Sequence, residues 1–253
     1  MANQDPATFD QLTELEATAP TLIEGLPGVG LVASITVNLL TRQLDLEHHG
    51  NIVSEDFPSV ATFQNGLVRD LVRVYGGVDP NVLTLQSDLA LPSYSFEPLA
   101  KCIIGEFSTE FDRAIFIAGV PAESENRIGD IAGIGTTEAM LDDLEQVNIE
   151  RATDPGIIGG TTGAIVKECY HGEVPAIVLI VRAHPFLPDP GAAQRVINEA
   201  LEPLVEFSID TSELQQEADE IQQQLQQLAQ QYQQMQQEHQ QSEQNQPVDS
   251  MFQ

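Results

Sequence analysis

Gly28-Val29-Gly30-Leu31-Val32-Ala33 fits the G-x-G-x-x-A arrangement that brings a pyrophosphate against a helix N-terminus, and it follows an apparent strand. That arrangement also asks for an acidic residue closing the next strand, roughly 20 residues on. Asp45 and Glu47 stand near that distance but precede the next strand, and Pro27 sits inside the turn. The residues read better as a tight strand-to-helix turn without a cofactor. A second glycine turn, Gly156-Ile157-Ile158-Gly159-Gly160-Thr161-Thr162-Gly163, opens a helix but lacks the lysine that clamps a nucleotide triphosphate. Gly25, Gly28, Gly30, Gly156, Gly159, Gly160 and Gly163 are therefore expected to be structural.

Hydrolytic chemistry has no better footing. No G-x-S-x-G elbow occurs, and Ser87, Asp88 and His184 are common residues with no spacing signature to join them as a triad. His48 and His49 are adjacent, so on a strand they face opposite ways and cannot share a metal. Cys102 and Cys169 belong to no C-x-x-C pair and imply no disulfide framework. The expectation is a protein with no catalytic residue, no metal and no cofactor. Met251-Phe252-Gln253 is a different kind of chemistry. A hydrophobe, an aromatic and a chain-terminal carboxylate follow Pro247 and Asp249-Ser250 at the end of a polar tail, which is the form of a docking peptide.

These residues need elements to hold them. Thr21–Gly25 reads as a strand and 29–40 as a helix with Val32, Ile35 and Leu39 on one stripe. Residues 60–63 and 67–75 are β-type around Asn65-Gly66, a hairpin signal. Residues 82–86 read as a strand and 96–111 as a helix. AIFIAGV (114–120) and AIVLIV (176–181) are continuous apolar runs, as in strands covered on both faces. Helical stretches at 136–144 and 161–170 lie between them, and Ala193, Val196, Ile197, Ala200, Leu201 and Leu204 form an amphipathic helix. The expected fold class is α/β, with a mixed, largely parallel sheet flanked by helices.

The composition shifts near Asp210. Leu214, Ala218, Ile221, Leu225, Leu228, Tyr232 and Met235 are spaced 4, 3, 4, 3, 4, 3, an unbroken coiled-coil seam, with Ser212 and Gln215 as a capping box. The seam suits either a second subunit or the chain's own domain. The expected organisation is an N-terminal extension (1–19), the α/β domain (20–210), a glutamine-rich coiled-coil helix (211–246) and a flexible docking tail (247–253).

With 39 acidic and 10 basic residues the net charge is −29. Such a surface repels phosphate backbones and anionic membranes, which excludes nucleic acid and membrane as partners. Only Lys101 and Lys167 are lysines, and carboxylate excess of this kind resembles proteins of extreme halophiles. The N-terminus lacks a basic stretch and an apolar signal core, and a cytoplasmic location is expected.

Leu22–Ser34 (LIEGLPGVGLVAS), Asp79–Pro92 (DPNVLTLQSDLALP), Gly156–Gly163 and His184–Ala193 (HPFLPDPGAA) together resemble the archaeal proteasome assembly chaperone family over roughly 20–207. The resemblance implies a phosphorylase/hydrolase-like α/β fold without an established catalytic centre. It further implies a homo-oligomer that assists assembly or activation of the 20S proteasome through its α subunits. Some archaeal relatives end in hydrophobic–tyrosine–any residue. Met251, Phe252 and Gln253 match that ending, with phenylalanine in place of tyrosine. A hydrolase or nucleotide-dependent ligase using the glycine turns is the alternative function.

Overall fold

Eight strands hydrogen-bond in the order β1-β3-β6-β7-β2-β8-β10-β9 in the computed structural model, which describes residues 7–225 and 227. In chain order they are β1 (Thr8–Gln11), β2 (Thr21–Gly25), β3 (Glu47–Val53), β6 (Val72–Val78), β7 (Asn81–Ser87), β8 (Arg113–Pro121), β9 (Ile131–Gly135) and β10 (Ala176–Ala183). β4 (Thr62–Gln64) and β5 (Leu67–Arg69) form a separate hairpin arm. β7, β2, β8 and β10 run parallel, while β1, β3 and β6 on one side and β9 on the other are antiparallel. The sheet is thus mixed, with a parallel block of four strands and antiparallel wings. A short turn joins β6 to β7, which suits an antiparallel pair, whereas the other antiparallel neighbours are joined by longer connections.

The two continuous apolar runs become β8 and β10, side by side in the parallel block. Ile23, Ile115, Ile177 and Leu179 point to one face, under α1 (Val32–Gln43), α3 (Glu138–Gln146) and the helix after β10. Leu22, Phe116 and Val178 alternate to the other face, under α2 (Phe96–Gly105) and α4 (Gly160–His171). Two cores on opposite faces of one sheet require strands that are apolar throughout. The amphipathic helix begins as α5 (Pro190–Arg195), widens into a π turn over Val196–Leu201 and ends as α6 (Glu202–Val205). No helix among the described residues is long and apolar enough to cross a membrane.

Several expectations need correcting. The 1–19 segment supplies β1, which pairs with β3. The helix expected over 96–111 stops at Gly105 and gives way to a 3-10 turn, Phe107–Glu110. The helix expected from residue 29 opens with a 3-10 turn, because Gly30 (φ 65°) and Leu31 (φ 50°) are left-handed, and α1 starts at Val32.

The outer margins of the sheet are occupied. The Phe9 amide of β1 donates to the Glu106 carboxylate (3.0 Å). Gly133 of β9 exchanges hydrogen bonds with the 150–152 backbone.

Residues 212–225 are helical. Asp210 Oδ1, not a Ser212–Gln215 box, accepts the Ser212 amide (2.9 Å). Leu214 is buried in the core beneath α1 and α5, and Arg42 of α1 pairs with Glu213. Ala218 faces Gly191 of α5, Ile221 is half-buried and Leu225 is exposed. The first seam positions therefore pack on the chain's own domain. Leu228, Tyr232 and Met235 lie outside the described residues.

Candidate functional site

The carboxyl ends of β2, β8 and β10 are where an open α/β sheet ordinarily receives a ligand, and the first glycine turn lies there. It is pressed between neighbours. A Cβ on Gly30 would stand 2.7 Å from the Ala183 Cβ, and one on Gly119 of β8 would stand 2.2 Å from the Val29 carbonyl oxygen. A Cβ on Gly25 would meet Val37 of α1 at 2.5 Å. Asp189 donates its amide to the Gly30 carbonyl (2.8 Å). Its carboxylate accepts from the amides of His184 (2.8 Å) and Ala192 (2.9 Å) and so caps α5. An anionic group already stands beside the α1 N-terminus, where a pyrophosphate would have to enter. Gly28 faces open space.

Ser87, Asp88 and His184 each serve a different local structure. Ser87 Oγ donates to the Leu89 carbonyl (2.8 Å). Asp88 accepts two hydrogen bonds from Arg73 (2.8 and 2.9 Å) and one from Arg69 (2.7 Å). Burial alone would raise the Asp88 carboxyl, but the Arg73 hydrogen bonds and charge outweigh it and hold it below the usual range. His184 Nδ1 accepts from the amides of Phe186 (3.2 Å) and Leu187 (3.1 Å), stitching a turn. His48 stacks on Tyr75 and bonds Asn51 (2.8 Å), whereas His49 is buried against Phe9, with a register shift between His48 and Gly50. Among the described residues no group of three His, Cys, Asp or Glu is placed to hold a metal. Cys102 and Cys169 are buried, and burial pushes the Cys169 thiol up to about 12, leaving almost no thiolate near neutrality.

The residue that the sequence reading passed over is Glu24, in β2. It is wholly buried, on the face covered by α4. The Thr162 hydroxyl donates to its Oε1 (3.2 Å), and its Oε2 has no hydrogen-bond partner. Burial raises the carboxyl from 4.5 to about 8, against partial relief from Thr162 and the nearby Leu26 and Ile117 backbone. Glu24 thus keeps its proton at neutral pH, at the centre of the sheet. The signal was present as one acidic residue inside the otherwise apolar run TLIEG. Above it lies the second glycine turn. Gly160 has φ 69°, and a Cβ on Gly163 would meet the Ile158 carbonyl oxygen at 2.2 Å. Gly156, Gly159 and Gly160 face open space.

This end of the sheet offers several apolar side chains to solvent. Leu31, Leu89, Tyr94, Phe186 and Ile157, the last 98% exposed, follow β2, β7 and β10 or precede α4. The β4–β5 arm leads into the adjacent end of β6 and exposes Phe63 and Val68. The stretches 57–69, 155–167 and 174–188 contain no acidic residue in a chain of net charge −29. Apart from Glu123 and Glu125 after β8, exposed apolar side chains on acid-poor segments suit protein contact better than catalysis. Met251, Phe252 and Gln253 lie outside the described residues.

Residues 22–229 match the PAC2 family. The uncharacterized protein MJ0106 of Methanocaldococcus jannaschii is 26% identical over 216 residues, 85% of this chain and 87% of that protein. The crystal structure of Pyrococcus furiosus PbaA, described as an archaeal homolog of proteasome-assembly chaperone, superposes with a TM-score of 0.79. It is 26% identical, and the match covers 94% of this chain and 97% of that one. Pyrococcus furiosus PbaB, described as an archaeal proteasome activator, shares the fold with a TM-score of 0.78 at 20% identity, over 89% and 100% of the two chains.

Proposed function

The chain belongs to the PAC2 family, and on that premise we propose that it is a non-catalytic, homo-oligomeric protein that binds the 20S proteasome as an assembly chaperone or activator. The observation that carries this reading is the likeness to PbaA, which is 26% identical along almost the whole of both chains. The scattered roles of Ser87, Asp88 and His184 agree with a protein that acts by contact.

The docking element in this reading is Met251-Phe252-Gln253, entering a pocket between α subunits. Phe252 supplies buried apolar area. Several tails on one oligomer act at high effective concentration, so each need not bind tightly. The protein works in the cytoplasm of an archaeon, and its carboxylate excess fits a high-salt interior.

Surface plasmon resonance against purified 20S particles tests this. Deleting residues 251–253 is expected to abolish binding without changing folding or oligomer size. Phe252→Ala is expected to weaken binding. Phe252→Tyr is expected to match or exceed the parent, since a pocket hydrogen bond contributes about 0.5–1.5 kcal/mol. Equal binding by the parent and the deletion refutes the docking role. A parent that does not bind 20S particles at all refutes the function.

A further inference from the structure

The β4–β5 arm is built for rigidity yet covers nothing. Asn65 (φ 52°) and Gly66 (φ 80°) turn it tightly, and Phe63 pairs across it with Val68. The Thr62 hydroxyl donates to the Arg69 carbonyl (2.9 Å), and the Arg69 guanidinium is fixed by Asp88 and Gln64. Asp88 also takes the buried Arg73, so the root of the arm is tied to the sheet by a two-arginine, one-carboxylate cluster. Phe63 and Val68 nevertheless remain 75% and 77% exposed. A two-stranded hairpin with three-residue strands is marginal by itself, so a fixed arm with apolar side chains in water calls for something to pack against.

A groove of about 320 Å³ lies at the root of the same arm. Ile52 at the end of β3, then Phe57, Pro58, Val60, Ala61 and Val68 give it apolar walls. Projection and groove are therefore neighbours on one molecule. Two copies related by a twofold axis can each place the arm in the other's groove, which makes a closed, self-complementary contact.

Charge selects the occupant. Two molecules of net charge −29 repel, and they approach at lowest cost where carboxylates are missing. Residues 57–69 hold none, and at the root of the arm Arg69 and Arg73 balance Asp88 and the groove-lining Asp70, so this region adds no net negative charge. A basic partner would be drawn to the acidic remainder of the surface instead of this segment. A second copy, carrying the same carboxylate-free arm, is the partner that this segment fits.

We propose that the β4–β5 arm and the groove at its root form a reciprocal contact between two copies of this chain, with Phe63 of each seated in the groove of the other. This rests on the homo-oligomeric part of the proposed function and names its surface.

The test uses the full chain at fixed KCl, with sedimentation velocity across a concentration series and a thermal melt as folding control. Phe63→Glu is expected to weaken one association step by about tenfold or more, since it places a charge in an apolar contact. Phe63→Leu is expected to keep most of that step. Both should melt close to the parent, because Phe63 and its cross-strand neighbour Val68 are both largely exposed. Unchanged association of a folded Phe63→Glu chain overturns the proposal, and so does a parent that stays monomeric throughout. If Phe63→Glu loses 20S binding with its self-association intact, the arm docks another protein and the proposal again fails. Parental binding to 20S particles, scored separately, tells this failure from failure of the functional reading.

Discussion

Replacing Glu24 by glutamine is expected to remove a large part of the pH dependence of folding. In the native chain the buried carboxyl holds its proton up to about 8, whereas in the unfolded chain it ionises at its ordinary 4.5. Between those two values only the unfolded chain releases the proton, so stability falls as pH rises, by about 1.4 kcal/mol per pH unit. The contribution is fully present below 4.5 and lost by about 8. Across the whole gap it amounts to about 5 kcal/mol, and between pH 5 and 8 to about 3–4 kcal/mol once partial ionisation at both ends is counted. Glutamine keeps the shape and accepts from Thr162 but has nothing to ionise. Its amide has no acceptor waiting where Oε2 stands, so the variant starts lower, by about 1–3 kcal/mol. Urea unfolding of parent and Glu24→Gln at pH 5, 6, 7 and 8, in constant KCl, measures the difference with all other titrating groups shared. The parent should lose about 3–4 kcal/mol more than the variant over this range. Two parallel stability–pH curves would refute the reasoning, because they would mean that Glu24 is already ionised or reached by water in the native chain.

Leu214→Ala should cost about 2–5 kcal/mol by cavity formation, since Leu214 is buried beneath α1 and α5, and truncation after Asp210 should destabilise the domain for the same reason. Chemical denaturation of both, set against a truncation after residue 225, reads this directly. Gly119→Ala should lower the melting temperature sharply, because its Cβ would meet backbone, the Val29 carbonyl, at 2.2 Å. Folding should also depend on salt. Below about 0.01 M the Debye length reaches roughly 30 Å, and circular dichroism should show loss of structure as KCl is dialysed away from a chain of charge −29. A melting temperature independent of KCl contradicts the high-salt reading.

The centre of the fold was readable because burial on both faces leaves a direct mark. AIFIAGV and AIVLIV have no polar position to spare, and they became adjacent parallel strands. Asn65-Gly66 was readable because few residue pairs accept two left-handed positions in succession. The margins of the sheet were not. β1, TFDQ, has one large apolar residue, and β9, IAGIG, owes its place to glycines that admit Leu144 and Met140 close to the backbone. The seam from Leu214 showed a helix with one apolar stripe, but the same stripe serves a neighbouring subunit or the chain's own core. Only the position of Leu214 under α5 decides for its first turns. Glu24 was missed because an acid within a strand can be discounted as an edge residue. Its place beside β7 and β8 is what makes it buried.

The carboxylate of Glu106 on the Phe9 amide has a meaning for life at high protein concentration. A bare β1 would be a template on which another molecule's strand can grow, and repetition of that step gives fibrils. A charged acceptor on that amide leaves an incoming strand both a competitor to displace and a negative charge to bury. The opposite margin is filled by the chain's own 150–152 backbone. Both margins thus carry a partner that an incoming strand would have to displace before the sheet could extend from molecule to molecule.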